Sequence, residues 1–155
     1  MHRFISFALG LFLITLSLTG NTAPAQQAWS KQQGDYMVYY SVFNSQFISP
    51  KVAEAYGIVR APNRALVNIS VTKIKSDGSE TLGQPALIEG YAQNLMAVKT
   101  DIDFRPVEHP GTVYYIAEFR YSSREVINFY FDVTPEGSNK AIELSFSKKL
   151  YHEDQ

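Results

Sequence analysis

From residue 35 onward the chain is a succession of short runs rich in Val, Ile, Tyr and Phe, cut at intervals by Gly, Pro, Asn, Asp and Ser. β-Branched and aromatic side chains suit a pleated, half-buried surface, and the breakers between them supply turns, so the pattern points to antiparallel β-structure. It predicts strands over 35–43, 64–75, 85–95, 98–107, 112–120, 126–133 and 141–149. About seven strands, spaced roughly 8–12 residues apart, suit an immunoglobulin-like antiparallel β-sandwich.

One short helix is expected between the first two strands. Ser49 is a good N-cap, Pro50 fits the first helical position, Lys51 to Tyr56 carry the turn and Gly57 can close it. So short a helix is not stable alone; Val52, Ala53 and Tyr56 must pack on the sheet or cover its edge. The polar stretch 26–34 reads as an ordered lead-in, with Trp29 clamped against the sheet. Ser76-Asp77-Gly78-Ser79 is turn chemistry, because Asp and Ser bond back to the backbone and Gly78 can take positive φ.

Alternation assigns the faces. Ala65, Val67, Ile69 and Val71 point inward and leave Asn68, Ser70 and Thr72 as a polar stripe. Ile127, Phe129, Phe131 and Val133 form a second inner face, and Ile142, Leu144 and Phe146 a third. Two strands are apolar on both sides. The first sets Tyr36, Val38, Tyr40 and Val42 against Met37, Tyr39 and Phe43, and the fifth sets Tyr114 and Ile116 against Tyr115, Ala117 and Phe119. Such strands are either covered on both faces or expose a patch for a partner; cover by the helix and the lead-in is the expectation.

The amino terminus reads as an export signal. Arg3 precedes an apolar run from Phe4 to Leu18, and Ala23-Pro24-Ala25 offers a small-x-small cleavage site after Ala25. The run is shorter than the roughly 20 residues of a spanning helix, so cleavage is preferred to an uncleaved anchor and the mature chain is not integral to the membrane. No cysteine is present to carry a lipid or a disulfide. A single domain over 26–155 must then stand on apolar packing, for which the seven Phe and ten Tyr beyond residue 25 are ample. Lys plus Arg is 14 and Asp plus Glu 15; loss of Arg3 leaves 13 against 15, a net of −2 that gives no case for nucleic acid.

Familiar catalytic machinery is scarce. Thiol chemistry is impossible, and after residue 25 only His109, in a predicted turn, and His152, near the carboxyl terminus, could act as imidazole bases. No Gly-x-Ser-x-Gly elbow occurs. Asp101 and Asp103, two apart on a predicted strand, share a face and could hold a cation or a glycosidic pair, although with Lys99 and Arg105 they more simply form a solvated charged surface. Arg60 and Arg64 bracket a turn and could grip an anion. Glu118 and Arg120 share a face with Tyr114, as a half-buried pair if that face is covered or the rim of a recognition patch if it is open.

The segments Tyr39 to Ile48, Pro50 to Ala53, Tyr56 to Arg60 and Asn68 to Val71, with Tyr114 to Ala117 and Phe146 to Tyr151, resemble a family of small exported gammaproteobacterial proteins, domain of unknown function 4426. The resemblance implies a bacterial envelope setting and a small β-domain, and carries over no catalytic or binding residue.

The residues support a periplasmic sandwich without cofactor or metal that acts by contact with another envelope protein, through surface including Tyr115, Glu118 and Arg120. The alternative is a small-ligand or glycan binder in which Tyr36, Tyr40 or Tyr114 stacks on a ring and Arg60 or Asn68 fixes it. A third reading is a carboxylate-dependent hydrolase using Asp101 or Asp103.

Overall fold

The computed structural model describes residues 28–151. The signal segment and His152 lie outside them. Nine strands form two antiparallel sheets among the described residues, rather than seven. The first sheet holds β1 (Ala28–Gln33), β2 (Tyr36–Asn44), β3 (Arg64–Lys73), β6 (Arg105–His109) and β7 (Thr112–Arg120), in the order β1-β2-β3-β7-β6. The second holds β4 (Ala86–Asn94), β5 (Lys99–Asp101), β8 (Glu125–Pro135) and β9 (Ile142–Leu150), in the order β5-β4-β8-β9. With β1 set aside, these orders are the A-B-E-D and C′-C-F-G sheets of an immunoglobulin-type sandwich.

The two additional strands have separate causes. The polar lead-in does not cover a face; it extends the first sheet as β1, pairing with β2 from Ala28↔Ser41 to Gln33↔Tyr36. Its polar side chains have work at the sandwich edge, where Lys31 Nζ donates to the Glu143 carbonyl at 2.5 Å and Gln33 Nε2 to the Ala141 carbonyl at 3.1 Å. Trp29 is clamped as expected, its ring 5.8 Å from Tyr40 and 5.5 Å from Phe146 of the opposite sheet. The run 98–107 is not one strand. Ile102 is buried and Phe104 meets Phe131 edge-on at 5.2 Å, so the chain dives between the sheets and changes from the second (β5) to the first (β6).

The inner faces are those that alternation assigns. Val38, Ala65, Val67, Ile69, Val71, Phe129, Phe131, Val133, Ile142 and Leu144 make one continuous core. Phe129 stacks on Phe146 at 5.0 Å and meets Phe119 edge-on at 5.5 Å, tying three strands across the interior. Tyr121, at the β7–β8 corner where such sandwiches carry a tyrosine, accepts from Asn44 Nδ2 at 2.6 Å, and its hydroxyl lies 2.9 Å from the Pro62 carbonyl and 2.6 Å from that of Tyr151.

The outer face of the first sheet departs from expectation. Ser70 and Thr72 are buried rather than wet, because the β3–β4 connection folds back along β3: Thr81 N donates to the Lys73 carbonyl and Gln84 N to that of Val71. The Glu80 carboxylate accepts from Thr72 Oγ1 at 2.5 Å and from the Tyr39 hydroxyl at 2.7 Å. The Thr72 hydrogen bond first, and that of Tyr39 second, hold the Glu80 carboxyl below its ordinary value. A depressed carboxyl contributes stability above its unfolded pKa of about 4.3, and that contribution disappears as pH falls through the lower folded value. Urea denaturation at pH 7 and pH 3 should therefore show a smaller acid loss of stability in Glu80→Gln than in the wild type. An unchanged acid loss would mean that the contact adds nothing.

Candidate binding groove

The helix forms where its caps place it. In α1 (Pro50–Ala55), Ser49 Oγ accepts from Val52 N at 3.3 Å, and Gly57 closes the turn at φ 62° while Ile58 N bonds back to the Ala53 carbonyl at 2.8 Å. Ala53 is buried, and α1 with the flanking Ile48 and Ile58 lies over the outer face of the first sheet. Its carboxyl-terminal end is moored to β6 twice: the Tyr56 hydroxyl and His109 Nε2 are hydrogen-bonded at 2.9 Å, and an Arg105 guanidinium nitrogen donates to the Tyr56 carbonyl.

Between this roof and the sheet is a groove of about 270 Å³. Its floor is set by register, which aligns Ser41, Asn68 and Ile116 across β2, β3 and β7, with Phe43 and Leu66 on one side of that row and Tyr114 and Val107 on the other. Val52, Tyr56 and His109 form the walls. The space is slightly smaller than a typical small-molecule pocket of roughly 300–1,000 Å³ and matches one or two apolar side chains. Ser41 and Asn68 place polar groups in its floor, and no side-chain hydrogen bond within the described residues engages them. An apolar cleft with a few uncommitted polar groups is suited to holding and orienting a guest.

Of the residues singled out from sequence, the groove brings together Asn68 and Tyr114. Tyr36 and Tyr40 lie on the inner side of the same sheet, packed against the core, so strand parity separates them from Asn68 and Tyr114. Tyr115 also points inward; it is buried, and its hydroxyl accepts from Ala86 N at 2.7 Å, joining the two sheets rather than offering a contact surface. Arg60 donates to the Gln46 carbonyl at 3.0 Å, and Arg64 pairs with Glu118 at 3.4 Å, so each guanidinium of the expected anion grip is engaged within the chain. Glu118 also accepts from Val59 N at 3.2 Å; its ionic partner is Arg64 and not Arg120, which is exposed. Asp101 ends β5 and Asp103 lies in the crossing to β6, both exposed on either side of buried Ile102, so the strand premise for that pair does not hold.

The groove's walls were partly visible in the sequence. The two-sided apolar character of β2 and β7 and the apolar positions of the helix signal a covered face, whereas His109, 53 residues from Tyr56, carries no local sign of its partner. Among the described residues no three His, Cys, Asp or Glu side chains gather where they could hold a metal ion. No described helix is long and apolar enough to cross a membrane.

No curated protein matches the chain. The crystal structure of a DUF4426 family protein from Pseudomonas aeruginosa PAO1 is 30% identical, with a TM-score of 0.69 over 82% of this chain and 97% of that one. FetP from uropathogenic Escherichia coli strain F11, expressed recombinantly in the periplasm, is 9% identical with a TM-score of 0.59 over 85% of this chain and 100% of its own. A copper-bound variant of FetP is 10% identical, with a TM-score of 0.56 over 83% of this chain and 92% of that one. At such identities the FetP likeness is one of fold alone. The family model for the domain of unknown function DUF4426 matches residues 30–153, and the chain belongs to that family.

Proposed function

We propose that this protein is a non-catalytic accessory module of the bacterial envelope, exported through a signal cleaved after Ala25, that binds an apolar segment of an envelope protein in the groove beneath α1. The observation that carries the reading is the half-open apolar cleft with Ser41 and Asn68 uncommitted in its floor. Export is supported by the apolar run 4–18 and its small-x-small sequel. A glycan or ring-stacking ligand has weaker support, because Tyr36 and Tyr40 face away from Tyr114 and Asn68. A carboxylate hydrolase has less, since Asp101, at the end of β5, and Asp103, in the crossing to β6, are both exposed rather than set in a cleft.

Site-specific photocrosslinking in the periplasm tests the proposal. A benzophenone amino acid at Tyr114, which is 38% exposed at the groove, should yield a discrete adduct, while the same probe at exposed Ser145 on the opposite sheet should not. Asn68→Ala should weaken the Tyr114 adduct without changing the melting temperature by more than a degree or two. Equal labelling from both positions, or none from Tyr114, would refute groove binding.

A further inference from the structure

A second surface has no role in the groove. The hairpin between β4 and β5 ends in Leu95-Met96-Ala97-Val98, with Leu95 75%, Met96 80% and Val98 55% exposed. Hairpin tips are ordinarily polar, and three large apolar side chains held in water invite an explanation. The tip is also firmly built. Asn94 Oδ1 accepts from both Met96 N, at 3.1 Å, and Val98 N, at 3.0 Å. Asn94 N donates to the Val98 carbonyl and Ala97 N to that of Asn94, while Ala97 holds the left-handed conformation at φ 62° without being glycine. The apolar side chains are therefore displayed by an ordered loop.

The charges around the tip are mostly cations, contributed by separate elements. Lys99 opens β5 directly beyond the loop. Arg120 shares a small recess with Val98 and Asn94. Exposed Arg124 stands at the β7–β8 corner, next to β8, whose Ile127 pairs with Asn94, and exposed Lys149 lies near the end of β9 beside β8. Fewer acids stand against them: Glu118 is paired with Arg64, Glu125 accepts from Ser122 N at 2.7 Å, and Asp101 lies exposed at the end of β5, two residues beyond Lys99. The far end is mixed, with Asp35, Asp77, Glu80 and Glu136 among Lys73, Lys75 and Lys140, so the cationic bias belongs to the tip end.

We infer that the β4–β5 tip is a docking wedge for an anionic lipid bilayer: Leu95, Met96 and Val98 enter the headgroup–acyl boundary while Lys99, Arg120, Arg124 and Lys149 meet lipid phosphates. A convex tip offers a guest no concavity, so it must itself be the inserting part, and a cationic surround complements a phosphate surface. Apolar insertion and charge attraction together supply the two signals that stable membrane attachment takes. The inference is independent of the groove.

The test uses protein beginning at Gln26. That extent is close to the one crystallised for the P. aeruginosa family member, which aligns over 97% of its own length with 82% of this chain. Co-sedimentation with phosphatidylglycerol/phosphatidylethanolamine vesicles should exceed that with phosphatidylcholine vesicles and weaken as salt is raised. Leu95→Ser combined with Met96→Ser should lower the partition coefficient about tenfold or more, and Lys99→Glu combined with Arg124→Glu should abolish the anionic preference. All four residues are exposed, so the melting temperature should hold in both variants. Absence of vesicle binding, or binding unaltered by the serine pair, would overturn the inference. So would tip-dependent self-association in vesicle-free sedimentation, which would assign the wedge to a second copy of the chain.

Discussion

Gly90→Ala should cost about 3 kcal/mol or more and leave little soluble protein, because a domain of this size has a total stability of only about 5–15 kcal/mol. Gly90 lies within β4, opposite Phe131, at φ 152°, a conformation that side-chain-bearing residues rarely adopt. A Cβ there would stand 2.1 Å from the Tyr130 carbonyl oxygen, 2.7 Å from Phe131 Cδ1 and 2.8 Å from Phe131 Cα. Two of these atoms are backbone in the central ladder of the second sheet, so they cannot swing aside as a side-chain end could. The carbonyl of Gly90 also accepts from Ile102 N at 3.1 Å, the bond that starts the crossing between the sheets. A shift of β4 would therefore disturb both the β4–β8 ladder and the route of the chain into β6. Gly34→Ala is the control, since its φ is 59° but nothing lies within 4 Å of its added Cβ. It should cost only about 1–2 kcal/mol, from left-handed strain alone. Equal losses in the two variants, measured by chemical denaturation, would show that close approach at Gly90 is not what matters.

Phe129→Ala should cost about 3–5 kcal/mol, the range for a large aromatic removed from a packed interior. Phe129 is 0% exposed, and its ring touches Phe146 on β9, Phe119 on β7 and Phe131 on its own strand, with centroids 5.0, 5.5 and 5.9 Å away. Loss of the ring removes its own burial and the contacts of three others. Those neighbours are held by strands on both sheets, so the space cannot close by a local movement. Phe129→Leu should retain most of the stability, losing roughly 1–2 kcal/mol, because an apolar side chain of similar reach refills most of the volume. A cost below about 1.5 kcal/mol for the alanine variant would mean that the site collapses readily and the four-ring cluster is not the centre of the core.

Strand positions, inner faces and the capped helix could be read from the chain because each depends on local chemistry. The period-2 pattern of Val67, Ile69 and Val71 or of Phe129, Phe131 and Val133 needs no knowledge of a partner strand, only that one face is greasy. Ser49, Pro50 and Gly57 announce the helix ends by the backbone geometry that each favours. Family membership was also legible, since the matching segments lie in the chain itself.

Tertiary structure decided which strands are neighbours and what covers them. Residues 98–107 alternate well enough for one strand, yet buried Ile102 and the contact of Phe104 with Phe131 divide them between two sheets. Residues 28–33, polar apart from Ala28 and Trp29, show no alternating apolar pattern, but they form a strand because the edge of β2 has unpaired backbone groups and the β9 region has carbonyls within reach of Lys31 and Gln33. The groove needed both kinds of information: parity put Asn68 and Tyr114 on one face and Tyr40 and Tyr115 on the other, and only folding brought α1 and His109 over the first pair. Local sequence determined how each segment presents its side chains. Long-range burial, which sums contacts between residues far apart in the chain, determined where those side chains meet.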